Sequence, residues 1–497
     1  MPYVLGVHLG ATSTSAAVVV RDGGQWAPPA PFPLGSARAE VPTALGRLPD
    51  GTRLAGEAAA SRAAESPEWV CTDFVTEVGT DTPLLLGGEF VPPHRLAASM
   101  VEWVADQVAN RYGYPAEHIA VSHGACWGTH RTHRLHRALA ELGLTDVTLL
   151  PEPLAVATDY VSRQPVSPGR SIAVGNVGGS GADATVLRRG ESRWGEGSVR
   201  GPGAELELRG VTVSGSRPAG RELDDLVLEQ LRAELGEPLA ELDPFEARHR
   251  AAAAHLRAEC TRVREELSTR ESAAANVVLP SFSGEVPLAR LRYEELARPH
   301  LELLPEKLAQ AVQSASLVPD DLEAVVLAGG PTRTPLLRRL VRERLHERSP
   351  AAEGAGIAVR VDGSPELVAA RGAAYCAVDV LSAATDRAAA RAETSVLVRV
   401  DDSVAEAEHV QHYDYDPMNE QAVEAPVDAA DRSARPPRPP VEVEPMHIEP
   451  PPKRKAVKIV KLSLAAILII FGLVMTFVQG FGGQQPEQPG VLRQVGN

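Results

Sequence analysis

Residues 4–20 read VLGVHLGATSTSAAVVV, and residues 172–190 read IAVGNVGGSGADATVLRRG. Each stretch has an apolar run rich in β-branched residues, a polar position, a glycine-containing turn and a second apolar run. This pattern predicts a β-hairpin whose glycines leave room for a ligand beside the backbone. We call residues 10–12 the first glycine turn and residues 178–181 the second. The similarity of the two stretches indicates an internally duplicated architecture.

A third glycine site lies in AVVLAGGPTRTPLLRRLV, residues 324–341, which predicts a strand, a turn and a helix. We call Gly329 and Gly330 the third glycine turn. Backbone N–H groups at such turns and at helix N-termini are suited to phosphate. A purely structural role of the glycines remains the alternative.

Composition excludes several classes of protein. The chain has 497 residues, 44% of them apolar and 23% charged, which is typical of globular proteins. The net charge of −15 argues against a nucleic-acid partner, since such binding depends on neutralising phosphates. The four cysteines (Cys71, Cys126, Cys260 and Cys376) form no C-x-x-C pair, so we expect a reducing compartment and neither a disulfide framework nor a zinc ribbon.

Lysine is rare in this chain. Lys307 is isolated, and the other four lysines (Lys453, Lys455, Lys458 and Lys461) cluster near the C-terminus. Any chemistry that needs an ammonium group from the first 306 residues is therefore excluded.

The C-terminal region predicts a membrane anchor. Residues 462–478, LSLAAILIIFGLVMTFV, carry no charge, and we expect a transmembrane helix over 460–481. The basic segment KRKAVKIVK precedes it, so the bulk of the chain is expected in the cytoplasm, with residues 482–497 as a short extracytoplasmic tail. The expected location is the cell membrane, with the lipid bilayer as a partner. A buried helix of a soluble domain is the alternative, and we expect no N-terminal signal peptide.

Residues 386–455 are predicted to be a disordered linker. Within them, residues 401–452 are acidic and rich in proline, as in ARPPRPPVEVEP. Such a segment has too little apolar content to fold alone and stays extended. It is a spacer in this interpretation, and a proline-motif ligand for a partner in the alternative one.

Several motifs together resemble the nucleotide-binding domain of the seventy-kilodalton heat-shock (DnaK-like) chaperones, a member of the actin-like ATPase superfamily. The segments occur in the family's order over about residues 1–385: VHLGATSTSAAVV (7–19), LLPEPLAVATDYV (149–161), VGNVGGSGADATVL (174–187), LRAECTRVREELS (256–268), VVLAGGPTRTPLL (325–337) and SPELVAARGAAYCA (364–377). The resemblance implies an α/β fold of two lobes, residues 1–165 and 166–385. Within lobe II, about residues 206–300 would form an outer subdomain.

The resemblance also implies site residues. The retained catalytic positions are Glu152 and Asp183. The implied nucleotide-binding residues are Gly10, Thr12, Gly178, Gly179, Arg264, Ser268, Gly329, Gly330, Arg333 and Glu366. The chain departs from the family at His8, Ala11, Val75, Asn176 and Gly181.

These departures bear on catalysis. His8 and Asn176 replace two aspartates that organise magnesium in the family, and Val75 replaces a lysine near the γ-phosphate. Phosphoryl transfer depends on positioned positive charge and metal. We therefore expect ATP or ADP as the cofactor, weakened binding of magnesium and impaired hydrolysis. No other metal is expected.

Four histidines (His123, His130, His133 and His136) invite comparison with a metal site. The last three recur at i, i+3 and i+6, where the first and last point in different directions from a helix. Arginines alternate with them, which favours a solvated basic face able to dock an acidic partner or the chain's own acidic linker.

The resemblance does not extend to the family's peptide-binding domain, which we expect to be absent. The first hypothesis is a membrane-anchored scaffold or nucleotide-sensing protein with an unknown cytoplasmic partner. The second is a slow ATPase with chaperone-like activity that relies on partners for client binding. A polymerising actin-like element is the third. Magnesium-dependent turnover separates the first two, and concentration-dependent sedimentation identifies the third.

Overall fold

The first apolar run of the chain becomes a fully interior strand of a mixed sheet. A computed structural model describes residues 1–190, 205–348 and 357–401. The strands of the first half are β1 (Tyr3–Leu9), β2 (Ser13–Asp22), β3 (Gln25–Trp26), β4 (Ala30–Phe32), β5 (Val41–Pro42), β6 (Ala44–Arg47), β7 (Arg53–Ala55), β8 (Val70–Thr72), β9 (Leu84–Leu86), β10 (Glu89–Val91), β11 (Ile119–His123) and β12 (Val147–Pro151). Its helices are α1 (Gly56–Glu65), α2 (Pro93–Tyr112), α3 (Thr129–Glu141) and α4 (Glu152–Arg163).

The second half repeats the plan of a hairpin followed by parallel strands. Its strands are β13 (Ser171–Val177), β14 (Ala182–Arg189), β15 (Leu206–Gly215), β16 (Ser272–Leu279), β17 (Phe282–Ala289), β18 (Leu322–Ala328) and β19 (Ala358–Val361). Its helices are α5 (Gly220–Leu235), α6 (Ala247–Leu267), α7 (Arg290–Leu301), α8 (Leu303–Ser314), α9 (Pro335–Glu347) and α10 (Val368–Asp401).

The two main sheets share one topology. In the first sheet the order is β12-β11-β1-β2-β3, with β1 antiparallel to β2 and parallel to β11. In the second sheet the order is β15-β14-β13-β18-β19, with β13 antiparallel to β14 and parallel to β18. Both predicted hairpins are therefore present, and the duplication seen in the sequence is a duplication of sheet topology.

Two helices join the sheets. α10 packs on β1, β2 and β11 of the first sheet, α4 packs on β13 of the second, and α4 and α10 pack against each other. The core around them is rich in alanine and contains residues from both sheets. Glycines allow very close packing, because a Cβ on Gly372 would lie 1.7 Å from the Ala155 carbonyl oxygen.

The structure differs from the sequence prediction at two boundaries. The predicted linker starts at residue 386, but the helical backbone of α10 continues to Asp401. Residues 386–400 are rich in alanine and arginine, which favour helix, and the acidic proline-rich composition begins only after them. The predicted outer subdomain begins at residue 206, but β15 pairs with β14 in the second sheet. The predicted lobe boundary at 165/166 falls between α4 and β13.

The predicted membrane-spanning segment, extracytoplasmic tail and acidic part of the linker lie outside the described residues. Among the residues that the structure describes, none of the helices has the length and apolar character needed to cross a bilayer.

Candidate functional site

The carboxyl ends of the central strands of both sheets meet at one cavity of about 970 Å³. In open α/β sheets, ligands bind outside the carboxyl ends of the strands, where the chain turns away from the sheet. The cavity is lined by most of the residues that the sequence singles out: His8, Gly10, Ala11, Thr12, Val75, Glu152, Asn176, Gly178, Gly179, Gly181, Asp183, Arg264, Gly329, Gly330 and Glu366. Ser268 and Arg333 are not among the lining residues.

The first and second glycine turns touch each other. The first turn is closed by the Gly10 amide, which donates to the Ser13 carbonyl at 3.1 Å, and the second by Gly178 to Gly181 at 2.8 Å. A Cβ on Gly179 would lie 2.2 Å from Oγ1 of Thr12. Glycine is therefore required at 179 for this contact, and backbone from both halves of the chain borders the same part of the cavity.

Other glycines in the site are also fixed by close approach. Gly329 has φ +86°, and a Cβ there would lie 2.0 Å from the Val177 carbonyl oxygen. A Cβ on Gly181 would lie 2.6 Å from the Gly215 carbonyl oxygen. The second glycine turn thus has no room for a hydroxyl-bearing side chain at 181, which explains this departure from the family pattern in steric terms.

Two buried carboxyl groups lie beside these turns. Glu152 begins α4, and Asp183 lies opposite Asn176 in the β13–β14 register. Burial raises the pKa of Glu152 to about 7. Burial also raises the pKa of Asp183 to about 7, and the charge of Glu152 adds to this effect, while a 3.4 Å hydrogen bond from the Asn176 amide opposes it.

His8 contacts Glu152 without adding charge at neutral pH. Its Nε2 lies 3.5 Å from Oε1 of Glu152, and its Nδ1 lies 3.0 Å from Oγ of Ser122. Burial lowers the pKa of His8 to about 4, so the imidazole is neutral at pH 7.

The oxygen atoms at this point fit a hard cation. Oδ1 of Asn176 and Oδ1 of Asp183 are buried and have no hydrogen-bond partner among the described residues. Magnesium prefers oxygen ligands, and such orphaned acceptors are the groups that a metal or its bound water would satisfy. The set carries less negative charge than a site with two further aspartates in place of His8 and Asn176.

At another part of the cavity, side chains form ion pairs and hydrogen bonds with one another. Arg264 donates to Asp224 at 2.5 Å, and the Ser268 hydroxyl donates to the Arg264 carbonyl at 3.2 Å. Arg333 forms a bidentate pair with Glu366, with its shorter contact at 2.7 Å. Ser268 and Arg333 therefore support cavity residues in this structure and are not in its lining.

Sequence reasoning missed two cations near the turns. Lys307 on α8 lies close to Gly215, and its positive charge lowers the pKa of Asp183. Its isolation in a lysine-poor chain was an available signal. Arg131 lines the cavity, as does Val75, which is 4% exposed. Sequence reasoning did not single out Arg131, because it lies among alternating histidines and arginines whose pattern indicates a solvated face.

The histidines of residues 123–136 do not come together at one point. His130 Nε2 lies 3.3 Å from the Gly79 carbonyl oxygen, while His123 is buried and stacks on Trp127 with ring centroids 5.1 Å apart. Within residues 1–190, 205–348 and 357–401, the structure groups no three histidine, cysteine or acidic side chains suitably for a metal ion.

Comparison with known proteins places the chain in a family. The family model described as Hsp70 protein matches residues 50–388. The chain is similar to the chaperone protein DnaK of Elusimicrobium minutum, with 26% identity over 69% of this chain and 54% of that protein. It is also similar to the DnaK protein of Methanothermobacter thermautotrophicus, with 24% identity over 68% of this chain and 55% of that protein. The DnaK protein of Cenarchaeum symbiosum has 25% identity over 69% of this chain and 50% of that protein.

The chain thus spans about half the length of the curated relatives that it matches. The matched region includes β13, β14 and the third glycine turn, which border the cavity. Because the Hsp70 protein model matches more than half of the chain, the chain belongs to the Hsp70 family.

Proposed function

We propose that this protein binds ATP or ADP in the cavity between its two main sheets and is impaired in ATP hydrolysis. The observation that carries the proposal is the contact between the first and second glycine turns, which brings two stretches of half-buried backbone together at the cavity. Backbone N–H groups in such turns suit phosphate, and the cavity of about 970 Å³ has the size of a typical ligand pocket.

Weak hydrolysis follows from the charges beside the turns. His8 is neutral at pH 7, and Asn176 contributes an amide, so Asp183 and Glu152 are the carboxyl groups left to organise a metal. Magnesium bound at these oxygens would neutralise charge on the phosphates. With fewer carboxylates the ion is held less tightly, and the transition state loses stabilisation.

A slow ATPase with chaperone-like activity is the second candidate. Glu152 and Asp183 are both buried at the cavity, and burial keeps the pKa of Glu152 near neutrality, where a carboxyl group serves as a general base. Client binding in this case would come from partner proteins.

The proposed setting is the cytoplasmic face of the cell membrane, where the protein acts as a scaffold or nucleotide-sensing partner of another cytoplasmic protein. Residues 462–478 support this, because they carry no charge and follow a basic segment. The test is extraction of membranes with carbonate. The full chain should stay in the pellet, and Ile469→Arg should release it. Release of the unchanged chain would disprove the anchor.

Nucleotide binding is tested by calorimetric titration of the full chain in detergent with ATP, with and without magnesium, followed by phosphate release. Binding without turnover supports the first candidate, and magnesium-dependent turnover supports the second. Gly329→Val is the control for site-specific heat, because no Cβ fits at that position. Absence of heat from the unchanged protein in both conditions would overturn nucleotide binding.

A further inference from the structure

The arginines that line the cavity differ in whether a carboxylate neutralises them. Most are paired: Arg38 with Glu265 at 2.6 Å, Arg221 with Asp73 at 2.5 Å, Arg262 with Glu266 at 2.7 Å and Arg264 with Asp224 at 2.5 Å. Arg131 also lines the cavity, and within the described part of the chain no carboxylate lies within salt-bridge distance of it. Its charge is therefore available to a ligand.

Topology places Arg131 near the glycine turns. It lies in the first turn of α3, which follows β11, and β11 runs parallel to β1 with Ser122 opposite His8. The carboxyl ends of β1 and β11 therefore lie side by side. The residues after β11, from 124 to 127, line the cavity together with the first glycine turn.

The stem of Arg131 is held in place. A Cβ on Gly79 would lie 2.7 Å from Cγ of Arg131, so the aliphatic part of the side chain packs directly on that glycine. Gly79 has φ +102°, a conformation that favours glycine, and the contact with His130 holds the same loop against α3. A stem fixed in this way limits the entropy that the guanidinium loses on binding an anion.

We propose that Arg131 binds the terminal phosphate of the nucleotide and makes the cavity prefer triphosphates to monophosphates. This inference rests on the nucleotide-binding function proposed above. A guanidinium matches phosphate oxygens with two parallel hydrogen bonds and keeps its charge at every physiological pH. Neutral His8 does not supply that charge, and Lys307 is not among the lining residues of the cavity.

The test compares Arg131→Gln with Arg131→Lys and with Arg134→Gln. Arg134 lies on the same helix and pairs with Asp81, and it is not a lining residue, so it controls for general loss of positive charge on α3. The full chain is titrated with ATP, AMP and inorganic tripolyphosphate. Arg131→Gln should weaken ATP and tripolyphosphate about tenfold and change AMP less than about twofold. Arg131→Lys should recover part of the loss, and Arg134→Gln should behave as the unchanged protein.

The outcomes separate this inference from nucleotide binding itself. Equal weakening of ATP and AMP by Arg131→Gln, or no weakening of ATP, overturns the role of Arg131 and leaves nucleotide binding standing. A third outcome is that ATP and tripolyphosphate bind with equal affinity, that both affinities depend on Arg131 and that AMP does not bind. This outcome supports the phosphate contact and overturns specific recognition of a nucleotide. If the unchanged protein binds none of the three ligands, both proposals fail.

Discussion

Glu152 and Asp183 are buried close enough together for the charge of one to raise the pKa of the other. The folded protein therefore holds protons that the unfolded chain loses near the ordinary pKa values of 4.5 and 3.8. As the pH rises from about 4 to about 7, the unfolded chain gives up these protons first, so stability falls. His8 has the opposite effect, because burial lowers its pKa from the ordinary 6.5 to about 4. Between these two pH values the unfolded chain holds the extra proton, so the contribution of His8 to stability rises with pH.

Replacing Asp183 with asparagine removes one member of this pair. Asp183→Asn should raise the free energy of unfolding at pH 8 by about 2 kcal/mol and change it little at pH 4, where the aspartate is protonated in the folded state. Urea unfolding at both pH values measures the difference. An equal change at pH 4 and pH 8 would show that packing, and not ionisation, is responsible.

Replacing His8 with aspartate adds a third carboxyl group beside Glu152. Without metal this variant should be less stable than the unchanged protein, because a buried carboxylate joins two others. Magnesium together with ATP should recover the loss and increase phosphate release. The midpoint of thermal unfolding in EDTA and in magnesium gives the measurement. His136→Asp, on an exposed position of α3, is the control, and a similar response from it would contradict the metal explanation.

The ion pair between Arg38 and Glu265 joins the two halves of the chain across the cavity, with contacts of 3.1 and 2.6 Å. Because Arg38 is 52% exposed, the pair contributes modestly, and Arg38→Gln should speed nucleotide release about two- to fivefold. Stopped-flow release of a fluorescent ATP analogue reports the rate. The difference should vanish at about 1 M salt, where surface charges are screened. Arg62→Gln, which breaks an exposed pair within α1, should leave the rate unchanged.

A methyl group on Gly179 would collide with Thr12 and separate the first and second glycine turns. Gly179→Ala should therefore abolish nucleotide binding while the far-ultraviolet circular dichroism stays unchanged. Gly128→Ala is the matched control, since nothing lies within 4 Å of its added Cβ. Retention of ATP binding by Gly179→Ala would show that the contact is not needed.

The sequence predicted the hairpins because their signals are local. A polar position, a glycine turn and flanking apolar runs lie within a single stretch, as in β1–β2 and β13–β14. Arg131 and Lys307 escaped prediction because their roles depend on partners far along the chain. Lys307 acts on Asp183 from another element, and Arg131 packs on Gly79.

Two of the residues that the resemblance implies for nucleotide binding have partners within the chain. Arg333 is paired with Glu366, and the Ser268 hydroxyl donates to the Arg264 carbonyl. A sequence motif records which side chain is present and not which neighbour it binds in the fold. The end of α10 was placed too early for a related reason, because charge and proline content marked the linker while helix propensity extended beyond the predicted start.

The alanine-rich packing of α4 against α10 has a mechanical consequence. The two helices pack through small residues, as where Gly372 contacts Ala155. Few large side chains therefore interlock between them and resist the sliding of one helix along the other. Small sliding displacements of the two sheets then cost little, whereas pulling them apart exposes the shared core to water. The cavity should open and close by shear, with amide exchange in both helices equally slow in the presence and absence of nucleotide.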